Sequence, residues 1–521
     1  MPPDLLALAV VLPLLGALCT VVAAARPAAA ARSSHQPIQQ PIQHLSQNPI
    51  QNGPEPSPTP AALLVPIGMI TAMLTTLSVL AITVTVWQNG PVRLEIGGWG
   101  VPLGIALQAD GLSTAMLVMS NLVALGISVY ATGYFKDADK VLHYWPLWLL
   151  LWAALNGLFL AGDLFNLYVM LELLGLAAAA LGGLTGSRDA VSASLRYLLV
   201  GLLGSMTYLL GVALIYTAYG TLDIGLLSAA MHPPNAIDGT ALVLMTAGLA
   251  LKAALFPLHF WLPPAHANAP APVSAALSAL VVKAAFYLIL RLWLEPFAPV
   301  ATFSASMVLG LLGAGAVVWG SWRALRAQRL KLLAAYSTVA QIGYLFLFFP
   351  LIAATPPGPA QDQLVAALVL MALTHGFAKA GLFLAAGLVQ QQAGHDRIDE
   401  LGGTAQHLPA TVFAIALAGS SLIGLPPSGS FIGKWLLMQG AIETGQWWII
   451  PIAAIGTLLA AAYIFRVLSR AFGLEPTPLR FVTDARTEVP ALTLALISVA
   501  ALGLASGPLW TLLGLDAGGG A

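Results

Sequence analysis

Four lysines and one glutamate stand among residues that are otherwise almost all apolar: Lys252, Lys283, Lys379, Lys434 and Glu172. A charge in the middle of a membrane-spanning helix costs roughly 2.5–3.5 kcal/mol, so such residues mark function. Burial penalises the charged form of an amine, which makes it a readier proton donor, and a nearby carboxylate opposes that effect. A row of such groups linked by water is a proton relay. One carboxylate cannot neutralise four amines, so some of the lysines must face a polar interior rather than an ion-pair partner. The alternative, in which the amine snorkels to the membrane surface, suits Lys434 best, Lys379 less, and Lys252 and Lys283 poorly. His375 lies four residues before Lys379, on the same face of a helix that carries both, and joins the candidates.

The elements that must hold these residues follow from composition. The chain has 521 residues, of which 58% are hydrophobic and 8% charged. Its mean hydropathy is +0.85. A soluble domain carries about a quarter charged residues. A soluble enzyme and a disordered chain are excluded. The formal net charge of zero leaves no basic footprint for a nucleic acid. Ten charge-free runs are long enough to cross a bilayer: 5–25, 61–92, 111–135, 141–162, 197–222, 296–322, 332–361, 411–433, 444–465 and 491–515. Four more, at 164–187, 239–258, 270–294 and 363–392, are interrupted by one or two charges. The expectation is an all-α polytopic membrane protein of about fourteen helices, since only helices or closed barrels satisfy the backbone in lipid and no barrel-like alternation is present.

Basic residues sort by side. Of the 21 Lys and Arg, fifteen fall in loops after odd-numbered helices, and only Arg93 and Arg291 fall on the other side. The remaining four are the buried lysines. This asymmetry places the odd-side loops in the cytoplasm and both termini outside, in a bacterial plasma (inner) membrane. The N-terminal run lacks a basic region before it and reads as helix 1 rather than a signal peptide. The single cysteine, Cys19, reads as a small buried hydrophobe.

Two helices read as broken. Lys252 is followed by Pro257, Pro263 and Pro264, and Lys434 is preceded by Gly424, Pro426, Pro427 and Gly429. These are helices 7 and 12. Their odd offset of five means opposite directions through the bilayer, which is the pattern of inverted transporter repeats. The expected organisation is 1–32, the first helix; 33–60, a disordered cytoplasmic loop rich in Pro-Ile-Gln; 61–140, helices 2 and 3; 141–294 and 295–473, two inverted five-helix repeats; and 474–521, a loop and the last helix.

Other chemistry is weaker. His259 and His266 are membrane-embedded or close to it, and a histidine pair could ligate haem, but a haem protein has no need of four buried lysines. Gly310, Gly313 and Gly315 read as close helix packing. No Walker A run, dinucleotide fingerprint or cysteine cluster occurs, so the chain is expected to carry no cofactor or metal and no redox centre of its own.

Several ordered runs resemble one family. They are Gly162-Asp-Leu-Phe-Asn-Leu-Tyr-Val-Met-Leu-Glu172, Lys252 through Pro263, Ala271 through Lys283, Leu333 through Gly343, His375 through Lys379, and Gly424 through Trp435. They are similar to the antiporter-like membrane subunits shared by complex I and Mrp-type cation/proton antiporters, across roughly residues 110–470. The helix 5 run, with Asp163-Leu-Phe-Asn-Leu before the glutamate, is most similar to the Mrp type. The resemblance implies fourteen helices with two inverted five-helix repeats, helices 4–8 and 9–13. It implies that Glu172 and Lys252 form a glutamate–lysine pair and that Lys283 is a bridging lysine. His375 and Lys379 become central relay residues and Lys434 the terminal lysine. Gln341 departs from the family pattern, since some members have histidine there. The chain also stops soon after helix 14, where the longest family members continue.

The implied function is proton translocation within a multisubunit monovalent cation/proton antiporter, with other membrane subunits as partners and sodium or potassium as the exchanged ion. The alternatives are a proton-pumping subunit of complex I or of a membrane-bound hydrogenase relative, and a passive scaffold. A scaffold would tolerate Leu or Met in place of the lysines. Segment 33–60 has no core-forming residues, so deleting 36–56 should leave folding and transport intact; loss of complex assembly in that deletion, read by blue-native electrophoresis, would instead make it a partner-binding segment.

Overall fold

The computed structural model describes residues 4–33, 60–101, 104–473 and 484–514. The expected loop falls at 34–59, outside the described residues. Among the described residues, twelve helices are long and apolar enough to cross a membrane. The first six are Leu5–Ala25, Ala61–Asn89, Gly111–Tyr134, Ala138–Leu160, Leu164–Gly182 and Arg188–Tyr219, taken as helices 1 to 6. Ala271–Leu294, Phe303–Leu325, Leu330–Ala354 and Pro359–Ala393 are helices 8 to 11, and Ile449–Ala471 and Ala485–Leu504 are helices 13 and 14. The two remaining passes are in pieces. Helix 7 is Ala236–Lys252 and, after a break, Leu262–Asn268. Helix 12 is Pro409–Ile423 and Gly429–Glu443. Both breaks lie at prolines, which lack the N–H of the helical ladder, and Gly424 at positive φ turns the chain at the second.

Cross-contacts between loops agree with fourteen passes. The loops after helices 9 and 11 meet through an Arg329–Arg397 bridge, and Gly403 after helix 11 donates to the carbonyl of Gly473 after helix 13. On the opposite end, residues after helices 4 and 6 meet through Asp163 and Asp223. Both arginines of that end are paired. Arg93 bonds Asp223 at 2.6 Å, and Arg291 bonds Asp110 and Glu295. A hairpin of β1 (Val92–Glu95) and β2 (Ala106–Ala109), antiparallel with Val92 opposite Ala109, covers this end before helix 3. No sequence pattern pointed to it.

Helices 8 and 11 are enclosed by the others, and helix 10 nearly so. Helices 1, 2 and 6 turn large apolar side chains outward, including Leu18, Leu77 and Leu203, which is a lipid-facing surface. Cys19 lies on that outward face and is exposed, contrary to the buried reading; one apolar neighbourhood, lipid, replaces the other. Helices 6 and 9 begin away from the charge-free runs. Helix 6 takes in Arg188, Asp189 and Arg196 because Ser187 caps it, and helix 9 starts after the Thr302 cap. Charges tolerated in the first turns of helix 6, and a cap at Thr302 inside a charge-free run, are both invisible to a charge-free criterion.

Glycine permits the closest approach between helices 9 and 10. A Cβ on Gly343 would lie 2.5 Å from the carbonyl oxygen of Gly313. Gly343→Val should therefore destabilise the fold by about 1–3 kcal/mol, read as a lowered thermal unfolding midpoint in detergent, while the equally apolar Val318→Leu, half-exposed to lipid, should not.

Candidate functional site

The first constellation sits at the break in helix 7. Asp163 caps helix 5 by accepting from the Asn166 amide, and Glu172 follows deep within that helix. Lys252 is the last residue of the first half of helix 7. Its Nζ lies 3.6 Å from Glu172 Oε2 and donates to the Leu171 carbonyl at 3.4 Å. The backbone beyond turns sharply. Ala254 has φ 55°, the left-handed region that costs a side-chain-bearing residue energy, and Trp261 Nε1 fastens the turn by donating to the Leu251 carbonyl at 2.9 Å. A small cavity beside Lys252 is lined by Leu171, Gly175, Tyr197, Trp261, Val281 and Ala285, so it reaches helix 8. Among the described residues no hydrogen bond joins Lys252 to Lys283.

The second constellation is the enclosed centre. Residues Leu277–Val281 of helix 8 form a π-helical turn in which the Val282 amide reaches back to the Leu277 carbonyl. The Ser278 carbonyl accepts from Lys283 Nζ at 2.6 Å. The Ser278 hydroxyl meets the Thr338 hydroxyl of helix 10 at 2.8 Å, and Thr338 in turn bonds the Ala334 carbonyl at 3.0 Å. Lys379 donates to that same carbonyl at 2.9 Å and to the Ser337 hydroxyl. Lys283 and Lys379 are fully buried, so neither snorkels. His375 is buried one turn before Lys379, within charge-interaction range of both lysines, and neither ring nitrogen has a hydrogen-bond partner among the described residues.

The third constellation is the break in helix 12. Lys434 Nζ donates to the Ile423 carbonyl at 2.9 Å, to the Leu422 carbonyl at 3.4 Å and to Thr457 Oγ1 at 3.2 Å, and stands 4.3 Å from the Tyr344 ring centroid. Only 5% exposed, it also does not snorkel. Gly424, with φ +85°, makes room: a Cβ there would lie 2.9 Å from Lys434 Cδ. Gln341, where the family pattern varies, donates to the Leu422 carbonyl at 2.9 Å. Ala334, Ser337, Thr338, Gln341 and Tyr344 thus form one polar face of helix 10 that touches or nears every buried amine beyond Lys252.

Two groups were missed. Lys331 belongs by sequence to the solvated odd-side loop. It is instead buried in the first turn of helix 10 and donates to the Ala269 carbonyl at the corner between helices 7 and 8, because the helix 9–10 connection is short and docks against that corner. His266, weighed without a role, is fully buried, within charge-interaction range of Lys283, Lys331 and Lys379, with both ring nitrogens unpartnered among the described residues. The helix 10 hydroxyls carried no sequence signal beyond their place in a recurring run.

Known proteins share this fold. The family model described as "NADH:quinone oxidoreductase/Mrp antiporter, TM" matches residues 161–460. The chain is 37% identical to the N subunit of the NADH-quinone oxidoreductase of Desulforudis audaxviator, over 75% of this chain and 77% of that protein. It is 28% identical to the D subunit of the Na(+)/H(+) antiporter of Alkalihalophilus pseudofirmus, over 75% of this chain and 78% of that protein. A chain of the solved Mrp complex from Dietzia sp. superposes with a TM-score of 0.83 at 26% identity, covering 98% of this chain and 96% of that one.

Removing either member of a buried pair leaves the other charge uncompensated. Glu172→Ala should cost about 3–5 kcal/mol of stability, and Lys252→Ala a similar amount. The double variant should cost less than the two together, read by thermal unfolding in a double-mutant cycle; strict additivity would mean that the two groups do not interact.

Proposed function

Because the chain belongs to the NADH:quinone oxidoreductase/Mrp antiporter family of membrane subunits, we propose that it translocates protons as one subunit of a multisubunit monovalent cation/proton antiporter of the Mrp type. The observation that carries this reading is the polar face of helix 10, which links Lys283, Lys379 and Lys434 by hydrogen bonds and shared acceptors within the enclosed centre. Glu172 and Lys252 form the gating pair. While paired, Lys252 is held charged by the carboxylate. When the pair opens, Lys252 passes its proton towards Lys283 through the cavity that reaches helix 8. His375 and Lys379 continue the path, which ends at Lys434. The other membrane subunits of the complex supply what a single relay lacks, a second ion to exchange, sodium or potassium. The excess of basic residues in the sequence after odd-numbered helices supports a cytoplasmic side there, with both termini outside a bacterial inner membrane.

A second reading has its own support. Identity is higher to the relative named for NADH-quinone oxidoreductase than to the one named for Na(+)/H(+) antiport, which favours a pump driven by redox chemistry in a partner subunit.

The test uses inside-out vesicles containing the assembled complex. Transport that builds or dissipates a pH gradient on addition of Na⁺ or K⁺ supports the antiporter reading; proton uptake only on addition of NADH and quinone supports the second. In either case Lys379→Met should lose most of the pH-gradient-linked transport at normal assembly, whereas Arg470→Met, on the exposed basic face, should keep it. Unchanged transport in Lys379→Met would leave the passive scaffold.

A further inference from the structure

At the basic end of the bundle a groove of about 540 Å³ opens between helices 9 and 10, lined by Trp322, Arg323, Arg326, Arg329 and Tyr336 among others, with no acidic residue in its wall. Two of its three arginines differ from several others on that face. Arg397 pairs with Glu400, Arg466 and Arg470 share Asp399, and Arg329 is bound to Asp396 at 2.9 Å. Arg323 and Arg326 have no carboxylate partner among the described residues. Each is held instead by an aromatic ring. The Arg323 guanidinium lies 5.0 Å from the Tyr336 ring centroid and donates to its hydroxyl at 3.0 Å, and Arg326 lies 5.3 Å from the Trp322 ring centroid. These cation–π contacts restrain the guanidinium groups and leave N–H donors without a carboxylate acceptor among the described residues, available to a phosphate.

We propose that this groove binds the phosphate of an anionic lipid headgroup. The site lies at the last turns of helix 9, where Trp319 and Trp322 are 41% and 38% exposed on a helix that faces lipid. Tryptophans at that level anchor at the headgroup boundary and provide an apolar wall for acyl chains. Two uncompensated guanidinium groups beside that wall match a ligand with phosphate at one end and hydrocarbon at the other, and basic pockets between membrane helices bind such headgroups. The wall continues inward. Trp319 packs on Phe256, and Phe256 on His259, both in the break of helix 7. An occupied groove therefore abuts the break that follows Lys252. The inference rests on the position of these side chains and is independent of the transport reading.

The test is native mass spectrometry of the full chain, delipidated in detergent and titrated with cardiolipin, with phosphatidylcholine as the zwitterionic control. The wild type should retain one cardiolipin in preference to phosphatidylcholine. R323Q/R326Q should bind it about thirtyfold more weakly, from roughly 1 kcal/mol per basic side chain, and Arg470→Gln should bind as wild type. Arg326→Gln alone, which loses only a ring contact within the chain, should fall about fivefold and covers the case in which the double variant fails to fold. Equal retention by these variants overturns the proposal. Displacement of the bound species by millimolar inorganic phosphate makes the ligand a free anion and overturns the lipid assignment. A photo-crosslinker at Gln328 that captures an acidic segment of another subunit in the assembled complex assigns the groove to a protein partner and does the same.

Discussion

A buried amine must have an acceptor, and the interior of a membrane helix offers few. Most interior carbonyls already accept from their own helix, so a lysine placed in a membrane bundle needs a carboxylate, a hydroxyl, the second lone pair of a helical carbonyl or a carbonyl released from the helical ladder. This chain supplies mostly the last. Lys434 bonds the carbonyls at the end of the first half of helix 12, Lys283 bonds within the π-helical turn of helix 8, and Lys331 bonds at the corner between helices 7 and 8. Of the four interior lysines, Lys252 alone has a carboxylate within the described residues, Glu172, and it also reaches a carbonyl of helix 5. Irregular backbone accepts from Lys283, Lys331 and Lys434, whereas Lys379 uses the Ala334 carbonyl and the Ser337 hydroxyl of helix 10.

The polar interior follows from that constraint. The two broken helices lie five passes apart and cross the bilayer in opposite directions, so each half of the bundle offers freed carbonyls from its own break. Helix 10 spans the distance between them with hydroxyl and amide groups on one face. Gln341 holds the Leu422 carbonyl that Lys434 also approaches, so the position where some relatives carry histidine stays within the hydrogen-bonded chain here. The gap lies elsewhere, between Lys252 and Lys283, where no hydrogen bond is made among the described residues and a small cavity beside Lys252 reaches only Val281 and Ala285 of helix 8. A break in the chain at the one ion pair is where opening and closing would have the largest effect on proton flow.

Much of this is legible in the residues alone. Charge is so scarce that fourteen passes, two breaks and the interior charges other than Lys331 stand out as exceptions. What is illegible has physical causes. Lys331 looks like its neighbour Arg329, and only a short connection that docks on the helix 7–8 corner separates a buried amine from a solvated one. Ser278, Ser337 and Thr338 look like ordinary membrane-helix hydroxyls, which usually bond their own backbone. The hairpin at 92–109 is too short for a period-2 pattern to stand out between apolar helices. Lys434 reads as a candidate for snorkelling because a helix end is near; that end is an internal break, whose carbonyls turn the amine inward.

The central claim is that the charge on Lys252 must come and go. Arginine at this position keeps the ion pair with Glu172 and the positive charge but does not release its proton. The direct measurement is pH-gradient transport in vesicles by the complex carrying Lys252→Arg, normalised to the amount assembled. The account predicts normal assembly with transport abolished. Normal transport at normal assembly would contradict it and reduce Glu172 and Lys252 to a structural clasp.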